Sequence, residues 1–247
     1  MFRLFYFIQY CKYPRMLYNK IMIKFEKVSK VFPGDFVALE DINLLVKKGE
    51  FVSVVGHSGA GKTTLLKLIY AEEQPTSGKV YFKDRDVSTI KKRYVPYFRR
   101  NIGMVFQDFK LLTEKTVFEN VAYALEVAGK SNREISEEVP GILDIVGLSN
   151  KMEKYPEQLS GGEQQKVSMA RALIHCPSVI IADEPTGNLD PTSSWEIVQL
   201  LIKINGMGTT VILATHDKEV VNKANKRVVV LEKGKIASDI KKGKYTV

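Results

Sequence analysis

Phe51-Val52-Ser53-Val54-Val55-Gly56-His57-Ser58-Gly59-Ala60-Gly61-Lys62-Thr63-Thr64-Leu65-Leu66 decides the fold. Phe51 to Val55 is apolar and rich in β-branched residues, which reads as a buried strand. Lys62 to Ile69 reads as the helix that follows. Between them, Gly56 to Thr63 fits the phosphate-loop pattern G-x-x-x-x-G-K-[ST]. The glycines at 56, 59 and 61 let the backbone turn tightly, so that its N–H groups point inward at an anion. The helix N-terminus adds partial positive charge. Gly56, His57, Ser58, Gly59, Ala60, Gly61, Lys62, Thr63 and Thr64 are therefore the candidate phosphate cradle. Lys62 reaches for the β/γ-phosphates, and the Thr63 hydroxyl suits Mg²⁺, which takes few protein ligands. Strand, loop and helix at the full spacing set this apart from a chance glycine run.

A second apolar run, Val179-Ile180-Ile181-Ala182, ends in Asp183-Glu184. Parallel strands covered on both faces read this way, and ligands in such sheets sit at the carboxyl ends of strands. Asp183 is placed to hold Mg²⁺ through water, and Glu184 to face an attacking water as a base. Alone, the pair is as well explained as an ordinary polar turn. A phosphate loop in the same chain favours the functional reading.

Leu159-Ser160-Gly161-Gly162-Glu163-Gln164-Gln165 resembles the signature motif of ATP-binding-cassette (ABC) ATPases. The other elements of that family follow in order. Gln107 after Ile102-Gly103-Met104-Val105-Phe106 resembles the Q-loop glutamine. Asn188-Leu189-Asp190 resembles the D-loop, and His216 in Ala214-Thr215-His216-Asp217 resembles the switch histidine. Phe32 stands where the family places a ring that stacks on adenine, with Phe36 as its competitor. The resemblance runs from Met22 to about Ser238. It implies a P-loop α/β nucleotide-binding domain with an antiparallel β part and a helical insert over about 108–175. It also implies ATP and Mg²⁺ as cofactors, with Gln107 joining Thr63 and Asp183 at the metal.

The resemblance implies a mechanism too. Two cassettes close head to tail around two ATP molecules. Ser160, Gly161, Gly162 and Glu163, at a helix N-terminus, would cap the γ-phosphate held by the other subunit, with Asp190 beside it. Phosphoryl transfer needs mostly positioning and charge neutralisation. Lys62 and His216 would neutralise, and Glu184 and Gln107 would place the water.

Asp183-Glu184-Pro185-Thr186-Gly187-Asn188-Leu189-Asp190 is similar to the branch holding the cell-division, lipoprotein-release and macrolide-exporter ATPases. Gly56-His57-Ser58-Gly59-Ala60-Gly61-Lys62, Val95-Pro96-Tyr97-Phe98-Arg99-Arg100-Asn101-Ile102-Gly103, Val105-Phe106-Gln107-Asp108-Phe109-Lys110-Leu111-Leu112 and Thr116-Val117-Phe118-Glu119-Asn120-Val121-Ala122 lean to the FtsE family. That family works with the integral membrane protein FtsX and acts on peptidoglycan hydrolases at the division site. The resemblance thus implies an ATP-bound homodimer on the cytoplasmic face of the inner membrane, held there by an FtsX-like partner. The alternative is the motor of a lipoprotein-release or macrolide-type exporter. The partner is expected to dock near Phe109, Leu111, Leu112 and the segment to Phe118. Lys166 departs from the usual arginine, keeping charge and losing bidentate geometry.

At 247 residues with 45% hydrophobic content, one domain with a sizeable core is expected. Cys11 and Cys176 are too few and too scattered for a disulfide framework or zinc site, which suits a reducing compartment. A net charge of +9 suits an acidic partner. Lys91, Lys92, Arg93, Arg99 and Arg100 form one basic group, and the end of the chain another. No nucleic-acid-binding pattern is present, so an anionic membrane surface is the functional reading and solvated surface the plain one. Residues 1–21 are aromatic and basic, too short in apolar run to span a bilayer. An early start codon ahead of Met16 or Met22, an interfacial anchor and a disordered tail all fit them. The expected layout is 1–21 extension, 22–238 nucleotide-binding domain and 239–247 basic tail. Within it, helices are expected over Glu119–Ala128 and Ile135–Val146, the second kinked or split at Pro140-Gly141. His175 is expected to meet terminal carbonyls of its own helix.

Overall fold

The computed structural model describes residues 20–242. The first nineteen residues of the extension, and the last five of the basic tail, lie outside the described residues, so the readings made there do too.

The chain folds around two sheets. Strands β1 (Ile21–Phe32), β2 (Phe36–Lys47), β4 (Ser77–Phe82) and β5 (Arg85–Asp86) make an antiparallel sheet in the order β2-β1-β4-β5. The second sheet has the order β10-β9-β3-β8-β7-β6. In it, β3 (Phe51–Val55), β6 (Ile102–Phe106), β7 (Val179–Asp183), β8 (Thr210–Thr215) and β9 (Arg227–Glu232) run parallel. Only β10 (Lys235–Ile240) runs antiparallel, on the outer edge. Every residue of β3 is buried because β8 and β9 flank it and helices cover both faces.

Helix α1 (Lys62–Ile69) packs Leu65, Leu66, Leu68 and Ile69 between the two sheets. The short α2 (Val95–Arg99) precedes β6. Helices α3 (Val117–Val127), α4 (Asn132–Ile145) and α5 (Gly161–Leu173) form the helical insert, and α6 (Pro191–Gly206) and α7 (Lys218–Ala224) complete the parallel half. Val121, Leu125, Val139, Leu143, Val167 and Leu173 join the insert to Ile180, Leu201 and Val211 in one core.

Three of these helices start on the same device. Thr116 with Glu119, Ser131 with Glu134 and Ser160 with Glu163 each form a capping box, side chain to backbone in both directions. The helices accordingly begin at Val117 and Asn132, earlier than their apolar periodicity suggests. Pro140 does not split α4, which is continuous from Asn132 to Ile145. The ring costs the bond to Ser136, whose hydroxyl donates to the Arg133 carbonyl at 2.8 Å. Ile135, Val139, Ile142 and Leu143 keep the helix seated across the interruption.

His175 bonds the backbone of Ala124 on α3 rather than the end of its own helix, and burial pushes its pKa down. Cys176, just beyond α5, has a φ of +48°, and Cys11 lies outside the described residues. Among the described residues no helix is long and apolar enough to cross a membrane.

Candidate functional site

The phosphate loop leaves the carboxyl end of β3 at Gly56 and enters α1 at Gly61, the helix N-cap. Gly61 has a φ of +103°, and a Cβ there would stand 2.6 Å from the Ala38 carbonyl oxygen. Conformation and close approach both require glycine at this position. Lys62 is almost wholly buried, and its ammonium donates to the Gly56 carbonyl at 2.8 Å and the His57 carbonyl at 3.3 Å.

A cavity of about 460 Å³ opens over the loop. His57, Ser58, Gly59, Gly61, Lys62, Thr63 and Thr64 line its floor. Gln107, Glu184 and His216 line the far wall, and Phe36 and Ala38 the near edge. The size falls in the range of small-ligand pockets. Gly56 and Ala60 shape the loop without reaching the cavity wall.

Glu184 sits at the centre of the polar wall. Its Oε1 lies 3.4 Å from Lys62 Nζ, and its Oε2 lies 3.0 Å from His216 Nδ1. The backbone N–H of His216 also donates to that oxygen, at 3.3 Å. Glu184 has a φ of +48°, sparsely populated for a non-glycine residue and costly by about 1–3 kcal/mol. Two backbone bonds hold it there: its N–H donates to Ala214 at 2.9 Å, and its carbonyl accepts from Gly187 at 3.1 Å. This strained turn, continuing from β7, aims the carboxylate at the lysine and the histidine.

Asp183 ends β7 with a half-buried side chain. Burial pushes its pKa up, and the hydroxyl of Thr63 bonding it pulls the other way. Its Oδ1 is buried with no hydrogen-bond partner. A buried carboxylate oxygen left unpaired next to a threonine hydroxyl at a phosphate loop fits a hard cation that takes oxygen ligands. Thr63 and Asp183 would hold Mg²⁺, which would neutralise phosphate charge; Gln107 faces the same cavity from the opposite wall.

Gln107 is steered by Asn188. Gln107 Nε2 donates to Asn188 Oδ1 at 3.1 Å, and Asn188 Nδ2 donates back to the Gln107 backbone carbonyl at 3.3 Å. A Cβ on Gly187 would stand 2.8 Å from Gln107 Nε2, so a larger residue there would displace the glutamine side chain from its present position. Asn188 lies within the quoted D-loop stretch, but sequence gave it no role.

Several expected residues lie elsewhere. Phe32 does not line the cavity; it stacks behind Phe36 with ring centroids 6.5 Å apart. Phe36, 59% exposed, is the ring that reaches the edge. Ser160 caps α5, where its hydroxyl accepts from the Glu163 N–H at 3.3 Å, and neither it nor Gly161, Gly162 or Glu163 lines this cavity. Asp190 likewise caps α6, its Oδ1 accepting from Thr192 and Ser193. One face of the chain thus carries the phosphate loop with Lys62, Glu184 and His216 around one cavity, and a separate helix N-terminus carries the signature residues. Sequence reading also missed Gln165. It is fully buried, and its Nε2 donates to the Phe106 carbonyl at 3.1 Å and the Pro185 carbonyl at 2.7 Å, tying together the segments that carry Gln107 and Glu184.

The ABC transporter family profile matches residues 39–187, from β2 through the strained turn at Glu184. The chain is 52% identical to the cell division ATP-binding protein FtsE of Bacillus subtilis, over 91% of this chain and 98% of that one. The chain belongs to the FtsE family of ABC ATPases. The Escherichia coli K12 member of the family is 47% identical over 86% of this chain and 96% of its own. Among solved structures, the ATP-binding cassette MJ0796, a dimer in a post-hydrolysis state bound to ADP and Pi, superposes with a TM-score of 0.80 at 36% identity, covering 89% of this chain and 98% of that one. The cbiO1 subunit of a Clostridium perfringens ABC transporter complex gives 0.84 at 29% identity, covering 90% and 89%. The chain is therefore an ABC-type ATPase with the α/β architecture of that family.

Proposed function

We propose that this protein is the ATP-driven subunit of an FtsEX-like complex, in which closure and reopening of a cassette dimer works an FtsX-like membrane protein that controls cell-wall hydrolysis during division. The observation that carries the reading is the wall formed by Lys62, Glu184 and His216 over the phosphate loop, with the signature helix N-terminus left outside that cavity. Such a molecule completes its site only against a second copy, as the dimeric MJ0796 cassette supports.

ATP lies with its phosphates against the loop N–H groups and Lys62, and its base at the Phe36 edge. Glu184 Oε2 takes a proton from the attacking water while Gln107 holds that water from the other side. His216 and Lys62 offset the charge that develops on the transferred phosphoryl group. Ser160 and the N-terminal amides of α5 cap the γ-phosphate of the partner copy. Hydrolysis removes that cap's ligand, so the closed state loses its differential stabilisation and opens. The working unit runs from about residue 22 to the end of β10 at Ile240, two residues beyond the expected boundary, with the insert at about 108–175 carrying the docking segment Phe109 to Phe118 and the basic residues after β10 beside an anionic leaflet. The site belongs on the cytoplasmic side, where ATP is.

The test is a pull-down from membranes in the presence of ATP, wild type against Glu184→Gln. The variant lacks the base and retains the closed dimer, so it should enrich a small FtsX-like membrane protein. Enrichment of a large permease would move the protein to lipoprotein or macrolide export. Recovery of no membrane protein would overturn both.

A further inference from the structure

Arg171 lies near the end of α5, away from the cavity and half-buried; burial pushes its pKa down, and among the described residues no carboxylate pairs with it. Both of its bonds go to backbone. Nη1 donates to the Lys110 carbonyl at 2.6 Å and Nη2 to the Phe109 carbonyl at 2.9 Å. Those two residues are consecutive and both left-handed, with φ of +54° and +52°. A non-glycine residue rarely adopts that conformation, and it persists only where its surroundings over-determine it. A planar fork with two donors matches two adjacent carbonyls as an ammonium does not.

The turn is gripped at further points. The Phe109 ring tip comes within 3.9 Å of where a Cβ on Gly161 would stand, at the opposite end of α5. On the far side, Leu112 exchanges backbone bonds with the buried Asn120 side chain at 2.8 and 3.0 Å. Upstream, Gln107 is two residues before Phe109 and is aimed by Asn188. The left-handed turn is therefore laid along α5, with its carbonyls held at one end of the helix and its ring at the signature end.

We propose that Arg171 is a positioning residue: its fork fastens the Phe109–Lys110 turn to α5, so that Gln107 in one site and Ser160, which serves the other, move as one body. Without the fork the two residues relax towards ordinary conformations, and the chain leaving Gln107 swings away from α5. The cassette then closes on ATP without setting the water-holding glutamine. The coupling half of this inference rests on the dimer reading above; the fastening half does not.

Arg171→Met and Arg171→Lys are compared with the parent in the full chain. Amide hydrogen exchange is followed at 108–112 and 161–165, with and without ATP, in a Glu184→Gln background. kcat and KM for ATP are measured with Glu184 restored. Without ATP, Arg171→Met should exchange at 108–112 at least about tenfold faster, because two charge-assisted bonds are gone, while α5 keeps its protection. kcat should fall about tenfold at unchanged KM, the pattern of a group that acts after binding. Arg171→Lys should behave like Arg171→Met, since charge without the fork does not restore the grip. In the parent, ATP should slow exchange in both segments together; in either variant only 161–165 should respond. Unchanged exchange at 108–112, full rescue by lysine, or loss of α5 protection along with kcat would each overturn the proposal. If ATP slows neither segment in the parent, the dimer reading fails, and exchange without ATP still decides the fastening.

Discussion

Replacing Gln165 separates the framework of the site from its chemistry. Its amide Nε2 donates to the carbonyls of Phe106 and Pro185, each one residue from Gln107 or Glu184. Its Oε1 is buried with no partner. Gln165→Met removes both donated bonds and strands two carbonyls, at about 1–3 kcal/mol each if neither relaxes. It also removes an unpaired buried oxygen, which returns part of that cost, so the net loss is about 2 kcal/mol. For a domain of this size that is a fall in Tm of about 4–8 °C. Gln165→Glu differs by an atom and is worse at neutral pH, because an ionised carboxylate would face two carbonyl oxygens in a dry site. An uncompensated buried charge costs about 3–5 kcal/mol, or about 6–20 °C. The introduced carboxyl would have a folded pKa raised above its unfolded value, so the folded state binds the extra proton. Stability is then greatest at low pH and falls as pH rises from the unfolded pKa through the folded one.

The assay is thermal unfolding of the three proteins across pH, with steady-state ATPase alongside. The Glu variant should converge on the Met variant as pH falls and diverge from it as pH rises past the unfolded carboxyl pKa. Both should lose kcat more than ATP affinity, since the phosphate loop is untouched while the Gln107 and Glu184 segments come apart. If both variants unfold within a degree of wild type at every pH, or unfold together with no pH divergence, Gln165 is not the tie that the distances indicate.

Glu184→Gln should lower kcat by about 10²–10⁴ with ATP binding retained, since the amide keeps the His216 N–H bond but cannot take a proton; a loss below tenfold would move the base elsewhere. Phe36→Ala should weaken ATP binding by about five- to a hundredfold, the worth of one stacked base. Phe32→Ala should weaken it less, because that ring only backs Phe36, and the reverse order in a fluorescent-nucleotide titration would return the stacking role to Phe32. Glu134 is held by Lys130 and by the N–H and hydroxyl of Ser131, which lower its pKa from 4.5 to about 2. A lowered folded pKa stabilises above the unfolded value and loses that effect as pH falls through about 2. The Tm gap between wild type and Glu134→Ala should accordingly close between neutral pH and about pH 2, and a gap independent of pH would leave the capping carboxylate without a role.

The parts of the candidate site legible in the sequence are those in which one short stretch carries both geometry and chemistry. Gly56 to Thr63 is such a stretch, because strand, loop and helix N-terminus are contiguous and the glycines have few other uses. The same holds for Asp183-Glu184 once a parallel strand precedes them. The parts missed are relations between distant segments. Gln107 meets Asn188 and Gln165 meets both Phe106 and Pro185 only after β6 and β7 pair. No periodicity marks them. Two helix starts lie earlier than the apolar spacing places them, although the signal is legible: Thr116 and Ser131 each have a glutamate three residues on, as Ser160 does, a capping signal that the apolar spacing alone does not carry. Phe32 and Phe36 show the limit from the other side. Both rings sit at the ends of β1 and β2 in direct register, so strand pairing decides which faces the cavity. Arg171 is the extreme case, an arginine on a helix whose natural reading is a solvated surface charge. Only the pair of left-handed carbonyls beneath it gives that charge a task, and the strain that makes the task necessary appears nowhere in the order of the residues.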